Sequence, residues 1–347
     1  MTMTQSDIRA ERPEATAAPA AEPRRRPSGF LSNLGVDRFS GLYLMLAMIV
    51  VYSMLETETF FSVNNFRIIL ASQAITGILT LGLMISLICG IFDLSVAANM
   101  SFSILFVGWL QAEQGVHWVV AVVLTVLVGA LIGIINALVV TKMGVDPVIG
   151  TLGVSSVLAA FTYWLTNGVS VTTGIDEQFT SLGNEKWLTI PVPAYLFAVV
   201  AVVLWWVLNY TPVGRYLYAV GSNVTASRLA GLKVLRLQWL GLIVSGTLAS
   251  FAGVVFTAQL GSSSFEAGAP YLLPAFSAVF LGATQIKPGR FNVVGTVVSI
   301  YLLAVGIKGL ELMYPGRPWM NDLFEGLVLI VAVALAARSA RRRAVAR

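Results

Sequence analysis

Ten apolar segments, separated by short polar breaks, occupy the sequence between residues 39 and 338. Charged residues make up only 11% of the chain, whereas about 25% is usual in soluble proteins, so most of the surface must face lipid. Because unpaired backbone groups are costly in lipid, the spans should be helices of about 20 residues. We therefore predict an all-α polytopic membrane protein with about ten transmembrane helices. The predicted spans are residues 39–55, 66–88, 96–111, 117–140, 147–166, 191–209, 236–258, 271–287, 291–307 and 322–338.

Basic residues are distributed unevenly between the predicted loops. With a cytoplasmic amino terminus, cytoplasmic segments hold 18 of the 22 Lys and Arg residues. The positive-inside rule predicts such an excess, and an odd number of spans would remove it. Both termini are therefore expected in the cytoplasm. The same distribution explains the net charge of +5 as a topology signal, so no nucleic-acid partner is expected.

The predicted domain organisation follows from the spans. Residues 1–38, rich in Ala, Pro, Glu and Arg, are expected to be a disordered cytoplasmic tail. Residues 39–338 form the transmembrane domain, and residues 339–347 form a basic cytoplasmic tail. Because the spans 96–111 and 271–287 are short, we expect them to be broken or partly re-entrant.

Motifs for chemistry are missing from the sequence. There is no GxxxxGK[ST] loop, so the chain itself is not expected to hydrolyse ATP, and HExxH and CxxC are also absent. Cys89 is the single cysteine, and His117 is the single histidine and lies at the edge of a span. The sequence therefore predicts neither an enzyme nor a bound metal or cofactor.

Asp93 is the one acidic candidate for a role inside the membrane. Ion-coupled carriers tend to place ionisable residues within their spans, and the spans here are almost free of them. Asp93 directly precedes the third span, so its carboxylate is suited to cap the amino-terminal end of that helix. A direct role in the solute path and a role in proton coupling are the alternatives.

Uncharged polar residues in the spans suit a neutral, polyhydroxylated solute, whose hydroxyl groups need donors and acceptors without net charge. The alternative is that a Ser or Thr within a helix bonds the carbonyl of its own helix. The predicted solute path consists of Asp93, Ser95, Asn99, Thr151, Tyr163 and Gln259. A wider set of polar or aromatic span residues also contains Gln73, Thr76, Ser86, Ser101, Ser103, Asn136, Ser155 and Trp164.

A polar segment, Thr211–Val234, lies between two apolar spans on the predicted cytoplasmic side. It holds Arg215, Arg228 and Lys233 but no acidic residue. The segment predicts a loop, a short helix capped by Ser222 or Asn223, and a second loop. Such a helix suits docking into a cleft of a partner protein. The alternative is an amphipathic helix lying on lipid.

The same segment resembles the coupling segment of ribose-type ATP-binding cassette (ABC) importer permeases, a group within the branched-chain amino acid and sugar permease family. The resemblance is carried by Thr211, Gly214, Arg215, Tyr218, Ala219, Gly221, Asn223, Ala226, Arg228, Leu229, Gly231 and Val234. Similar family segments occur at CGIFDLSVAANM, at DPVIGTLG and at AVFLGATQIKPGRFNVVGT. Departures from the family pattern occur at Cys89, Phe92, Ala97, Ala283 and Lys287–Pro288, and they leave the transported solute open.

The resemblance implies a type II ABC importer-like permease of the bacterial cytoplasmic membrane. Such a chain pairs with a second permease chain, docks two ATPase subunits and receives a small neutral sugar or polyol from an extracytoplasmic binding protein. An ion-coupled secondary transporter is the alternative. Within a coupling loop of residues 210–235, the residues implied to contact the ATPase are Gly214, Arg215, Tyr218, Gly221, Asn223, Ala226, Arg228, Leu229 and Gly231.

Overall fold

The computed structural model of the protein describes residues 36–55, 60 and 62–345. The predicted disordered tail lies outside these residues, except that residues 36–38 already belong to the first helix. At the other end, the backbone of the last helix continues through Val345, beyond the predicted end of the last span at residue 338.

Helices dominate the described part of the chain. In chain order they are α1 (Val36–Leu55), α2 (Val63–Ile88), α3 (Val96–Ala112), α4 (Trp118–Ala137), α5 (Pro147–Thr166), α6 (Glu177–Asn184), α7 (Val192–Tyr210), α8 (Pro212–Ser222), α9 (Val224–Leu229), α10 (Val234–Leu260), α11 (Leu272–Gly282), α12 (Val293–Met313) and α13 (Trp319–Val345). A π-helical turn (Leu138–Lys142) extends α4, and a 3₁₀ turn (Ala269–Tyr271) precedes α11. Two short antiparallel strands, β1 (Lys186–Trp187) and β2 (Ile190–Pro191), follow α6.

Seven helices of the described residues are long and apolar enough to cross a membrane, namely α2, α4, α5, α7, α10, α12 and α13. Shorter apolar helices cover Tyr43–Leu55, Val96–Ala112 and Ala269–Gly282. These findings confirm a helical polytopic membrane protein, while a total of ten spans stays a prediction. The two segments expected to be broken or re-entrant form α3, with 17 residues, and α11, with 11.

Helix α10 lies at the centre of the molecule and packs against α2, α3 and α4. It packs closely against α4, where a Cβ atom added to Gly133 would lie 2.5 Å from the carbonyl oxygen of Leu242. A Cβ atom on Gly246 would overlap the carbonyl oxygen of Gly129. Small residues allow such close helix packing in lipid.

A second group of helices packs beside this centre. Helix α11 packs against α12 and α13, and α12 also contacts α1 and α2. Large apolar side chains on α4, α5, α7 and α13 are exposed, as expected where lipid or another membrane chain covers a helix. The polar segment between α5 and α7 contains α6 and the β1–β2 hairpin.

The prediction of a loop at the start of the polar segment is wrong, because residues Pro212–Ser222 form helix α8. Pro212 occupies the first turn, where the missing N–H group is not needed and the fixed φ angle favours a helix. Thr211 caps the helix by accepting a hydrogen bond from the Gly214 N–H group at 3.3 Å. Gly214 is a close packing position rather than a helix breaker, since an added Cβ would lie 2.5 Å from the carbonyl oxygen of Leu208.

Candidate functional site

Helix α9 has the termini that its sequence predicts. The Asn223 side chain is its N-cap and accepts a hydrogen bond from the Ala226 N–H group at 2.9 Å. After Leu229 the chain turns at Gly231, whose φ angle of +80° is readily adopted only by glycine. A short helix is therefore held between two tight changes of direction.

This short helix projects from the molecule. Arg228 and Leu229 are exposed, and 86% of the Leu229 surface is accessible although leucine is apolar. Among the described residues, the exposed side chains of Arg215, Arg228 and Lys233 form no ion pair. The surface around α9 is therefore basic with an apolar tip, which suits a cleft with an apolar floor and acidic edges.

The nine predicted ATPase-contacting residues divide into an outward set and an inward set. Arg215, Asn223, Ala226, Arg228, Leu229 and Gly231 are exposed. Gly214 is buried and Tyr218 is partly buried. Gly221 is accessible on one side, while on the other side an added Cβ would overlap the carbonyl oxygen of Ile88. The inward residues fix α8 against the rest of the molecule.

Tyr218 attaches α8 to the turn between α11 and α12. Its hydroxyl group donates a hydrogen bond to the carbonyl oxygen of Phe291 at 2.7 Å. The guanidinium group of Arg290 lies 3.5 Å from the centroid of the Tyr218 ring, a cation–π contact. Burial raises the pKa of the Tyr218 phenol above its ordinary value, while the charge of Arg290 acts in the opposite direction. The phenol therefore remains protonated and able to donate.

Sequence reasoning missed Arg290 and Phe291 as partners of this segment. Both line a cavity of about 560 Å³ together with Arg215, Tyr218 and Gly221. One sequence feature could have indicated this contact. The basic turn Lys287-Pro288-Gly289-Arg290 lies on the same predicted side of the membrane as α8 and α9.

Asp93 lies in a buried polar network where α3, α4 and α10 meet. One carboxylate oxygen accepts hydrogen bonds from the hydroxyl and backbone N–H groups of Ser95, at 2.7 and 3.1 Å. The other oxygen accepts from the Ser245 hydroxyl group at 2.7 Å. Asn136 of α4 donates to the Ser95 hydroxyl oxygen at 2.6 Å, and Asn99 donates to the carbonyl oxygen of Gly246 at 3.0 Å. The network thus ties three helices together.

Asp93 is not the N-cap residue of α3, although its carboxylate accepts a hydrogen bond from a backbone N–H group next to the start of that helix. Ser95 is the N-cap of α3, and its side chain makes no capping hydrogen bond. The Asp93 carboxylate bonds only the Ser95 N–H group of the backbone here, ahead of the first helical residue, and its second oxygen is directed to Ser245 on α10. The carboxylate thus combines local hydrogen bonds from Ser95 with one from a distant helix.

Three of the predicted path residues, Asp93, Ser95 and Asn99, meet in this network. Thr151 lies next to it, because its hydroxyl oxygen accepts a hydrogen bond from the Leu94 N–H group at 3.1 Å. The other two lie apart from the network: Tyr163 packs edge-on against Phe265 with ring centroids 6.0 Å apart. Gln259 lies near the carboxyl end of α10, and its buried side-chain oxygen has no partner among the described residues.

A cavity of about 300 Å³ lies between α3, α5 and the segment that leads into α11. Its size and its mostly apolar lining with a few polar groups are typical of sites for small organic ligands. Two residues of the wider polar set, Ser101 and Ser155, line it, but none of the six residues of the predicted path does. The lining consists of Leu94, Ala97, Ala98, Ser101, Leu152, Ser155, Ser156, Ala159, Thr162, Phe265, Glu266, Ala269 and Leu272.

Comparison with known proteins finds one matching family and several similar import permeases. Residues 65–333 match the family described as "Branched-chain amino acid transport system / permease component". The chain is 31% identical over 310 residues to the ribose import permease protein RbsC of Haemophilus influenzae, which covers 87% of this chain and 95% of that protein. It is 33% identical over 302 residues to RbsC of Bacillus subtilis, covering 87% of this chain and 93% of that one.

A relative with another solute in its name is similar at nearly the same level. The autoinducer 2 import system permease protein LsrD of Yersinia enterocolitica is 29% identical over 311 residues, which are 86% of this chain and 93% of that protein. No solved structure matches the chain.

Proposed function

Since this chain belongs to the branched-chain amino acid transport system permease family, and within it to the ribose-type importer permeases, we propose that it imports a small neutral sugar or polyol as the permease subunit of an ABC importer. The observation that carries this function is the identity to ribose import permeases over nearly the whole length of both chains. An autoinducer 2 import permease is similar over the same range, so a furanose-like solute is the common chemistry.

The partners follow from this function. We propose that two permease chains form the conduit, that two ATPase subunits dock beneath it and that a binding protein delivers the solute from outside. The chain is an inner-membrane multi-pass protein, and we place both of its termini in the cytoplasm. It acts as a transport subunit without a cofactor of its own, and ATP is hydrolysed on the partner chains. The exposed basic surface around α9, with Leu229 as its exposed apolar residue, supports docking into a partner.

Movement at α9 would reach the membrane domain through α8. Helix α8 is fixed by the hydrogen bond from Tyr218 to Phe291 and by the close contact between Gly221 and Ile88. Closure of the ATPase dimer would therefore shift both the end of α2 and the α11–α12 turn, as rigid elements do in alternating access.

Reconstitution tests the function against the ion-coupled alternative. Vesicles that contain the chain, its ATPase and an external binding protein should accumulate D-ribose only when ATP is present with the ATPase. Vesicles with the chain alone should accumulate none on a proton or sodium gradient. Uphill accumulation by the chain alone on such a gradient would refute the proposal.

Charge reversal at Arg228 should separate docking from folding. We expect Arg228→Glu to leave membrane insertion unchanged and to lower co-purification of the ATPase at least about tenfold, because the surface around α9 would lose its complementarity to acidic groups. Lys186→Glu, at an exposed basic residue of β1 on the other predicted side, is the matched control. Full recovery of the ATPase with Arg228→Glu would count against docking at this helix.

A further inference from the structure

The segment that covers the cavity between α3 and α5 carries one acidic residue, Glu266. Among the residues that the structure describes, it is the only charged one that lines this cavity. Its carboxylate forms no hydrogen bond or ion pair with another described residue, so both oxygens are available to a ligand. Ser101, Ser155 and Thr162 supply hydroxyl groups from the walls formed by α3 and α5.

The backbone at Glu266 has a conformation that suits glycine. Its φ angle is +58°, in the left-handed region that side chains with a Cβ atom disfavour. The neighbouring residues hold this turn over the cavity: the Gly268 N–H group donates to the Ser101 hydroxyl oxygen at 3.0 Å, and Phe265 packs edge-on against Tyr163. Glu266, which is exposed, is thus placed at the cavity by a turn that is anchored on α3 and α5.

The chemistry of this cavity fits a polyol. A carboxylate has acceptor positions for two adjacent hydroxyl donors, and such charge-assisted hydrogen bonds are stronger than neutral ones. The apolar walls, among them Leu94 and Leu152, suit the C–H faces of a sugar ring. An anionic solute would instead be repelled by the unpaired carboxylate.

We infer that Glu266 binds adjacent hydroxyl groups of a neutral sugar or polyol in this cavity, and that the cavity, rather than the Asp93 network, is the solute site of the chain. This inference rests on the proposed import function. The Asp93 carboxylate already accepts hydrogen bonds from Ser95 and Ser245, whereas the carboxylate of Glu266 is free to accept them from a solute.

Three substitutions at this position separate charge from backbone conformation. Glu266→Gln keeps the shape and removes the charge, while Glu266→Gly removes the side chain and adopts the left-handed turn without strain. Glu266→Asp keeps the carboxylate. Glu185→Gln, which neutralises another exposed acidic residue of the predicted outer side, is the control.

The variants are compared in vesicles that contain the chain and its ATPase, with the binding protein outside and D-ribose at saturation. We expect Glu266→Gln and Glu266→Gly to lower ATP-dependent uptake at least about tenfold, and Glu266→Asp to retain more uptake than either. ATP hydrolysis stimulated by the loaded binding protein should stay within about twofold of the parent protein, which also shows that the variants are folded and docked. Glu185→Gln should match the parent in both measurements.

Two results would overturn the inference. Uptake at the parent level by Glu266→Gly would show that the carboxylate is dispensable. Equal losses of uptake and of stimulated ATP hydrolysis would assign Glu266 to docking of the binding protein or to folding. By contrast, uphill accumulation of D-ribose by the parent chain alone on a proton or sodium gradient would refute the proposed function itself.

Discussion

Gly221→Ala should reduce ATP-dependent uptake at least about tenfold, although alanine is the better helix former by about 1 kcal/mol. The added Cβ atom would overlap the carbonyl oxygen of Ile88, a backbone atom that cannot move aside as a side chain can. Helix α8 would have to separate from the end of α2. Overpacking of this kind costs about 1–3 kcal/mol or more.

Gly153→Ala is the matched control, because an added Cβ atom there meets nothing within 4 Å and Gly153 also lies within a helix. Uptake into ATP-loaded vesicles and co-purification of the ATPase are measured for both variants. We expect Gly221→Ala to retain the ATPase while transport fails, since the outward surface of α9 is unchanged. Normal uptake by Gly221→Ala would show that the contact between α8 and α2 is not needed for transport.

Asp93→Leu should lower the free energy of unfolding by about 3 kcal/mol or more. The substitution leaves the hydroxyl groups of Ser95 and Ser245 without their acceptor in a buried place, and each unsatisfied buried group costs about 1–3 kcal/mol. Asp93→Asn, which keeps the size and one acceptor oxygen, should have a smaller effect. Thermal unfolding of the purified protein in detergent provides the measurement.

Asp146→Ala is the comparison for this experiment. Asp146 is an exposed N-cap that accepts hydrogen bonds from Val148 and Ile149 N–H groups at the start of α5, and loss of such a cap costs about 1 kcal/mol. If Asp93→Leu were no more destabilising than Asp146→Ala, the network around Asp93 would not hold the three helices together.

Local sequence signals predicted the parts of the molecule that depend on neighbouring residues. The spans follow from runs of apolar residues, and α9 follows from a capping Asn223 and a terminal Gly231. The short lengths of α3 and α11 were also visible in the sequence. The wrong prediction of a loop at α8 also concerns a local signal. Pro212 follows the end of α7, but it also lies in the first turn of α8, a position that proline favours.

Contacts between residues that lie far apart in the sequence could not be predicted from local signals. The Asp93 carboxylate bonds Ser245, 152 residues further along the chain, in addition to Ser95. Tyr218 reaches Phe291, 73 residues away. The lining of the cavity joins α3 and α5 to residues 265–272, so the sequence alone does not bring Glu266 together with Ser101 and Ser155. Which polar residues share a cavity depends on helix packing, which one sequence does not reveal.

The short segment between α2 and α3 connects the surface that contacts α8 to the wall of the cavity. At one end it joins Ile88, which touches Gly221, and near the other end Leu94 both borders the cavity and bonds Thr151. So short a connection leaves little freedom of movement between the proposed ATPase-docking face and the wall of the cavity. Movement of the ATPase subunits that we propose would therefore reach the wall of the cavity with little delay. Closure of the ATPase dimer and release of the solute would then occur in one step.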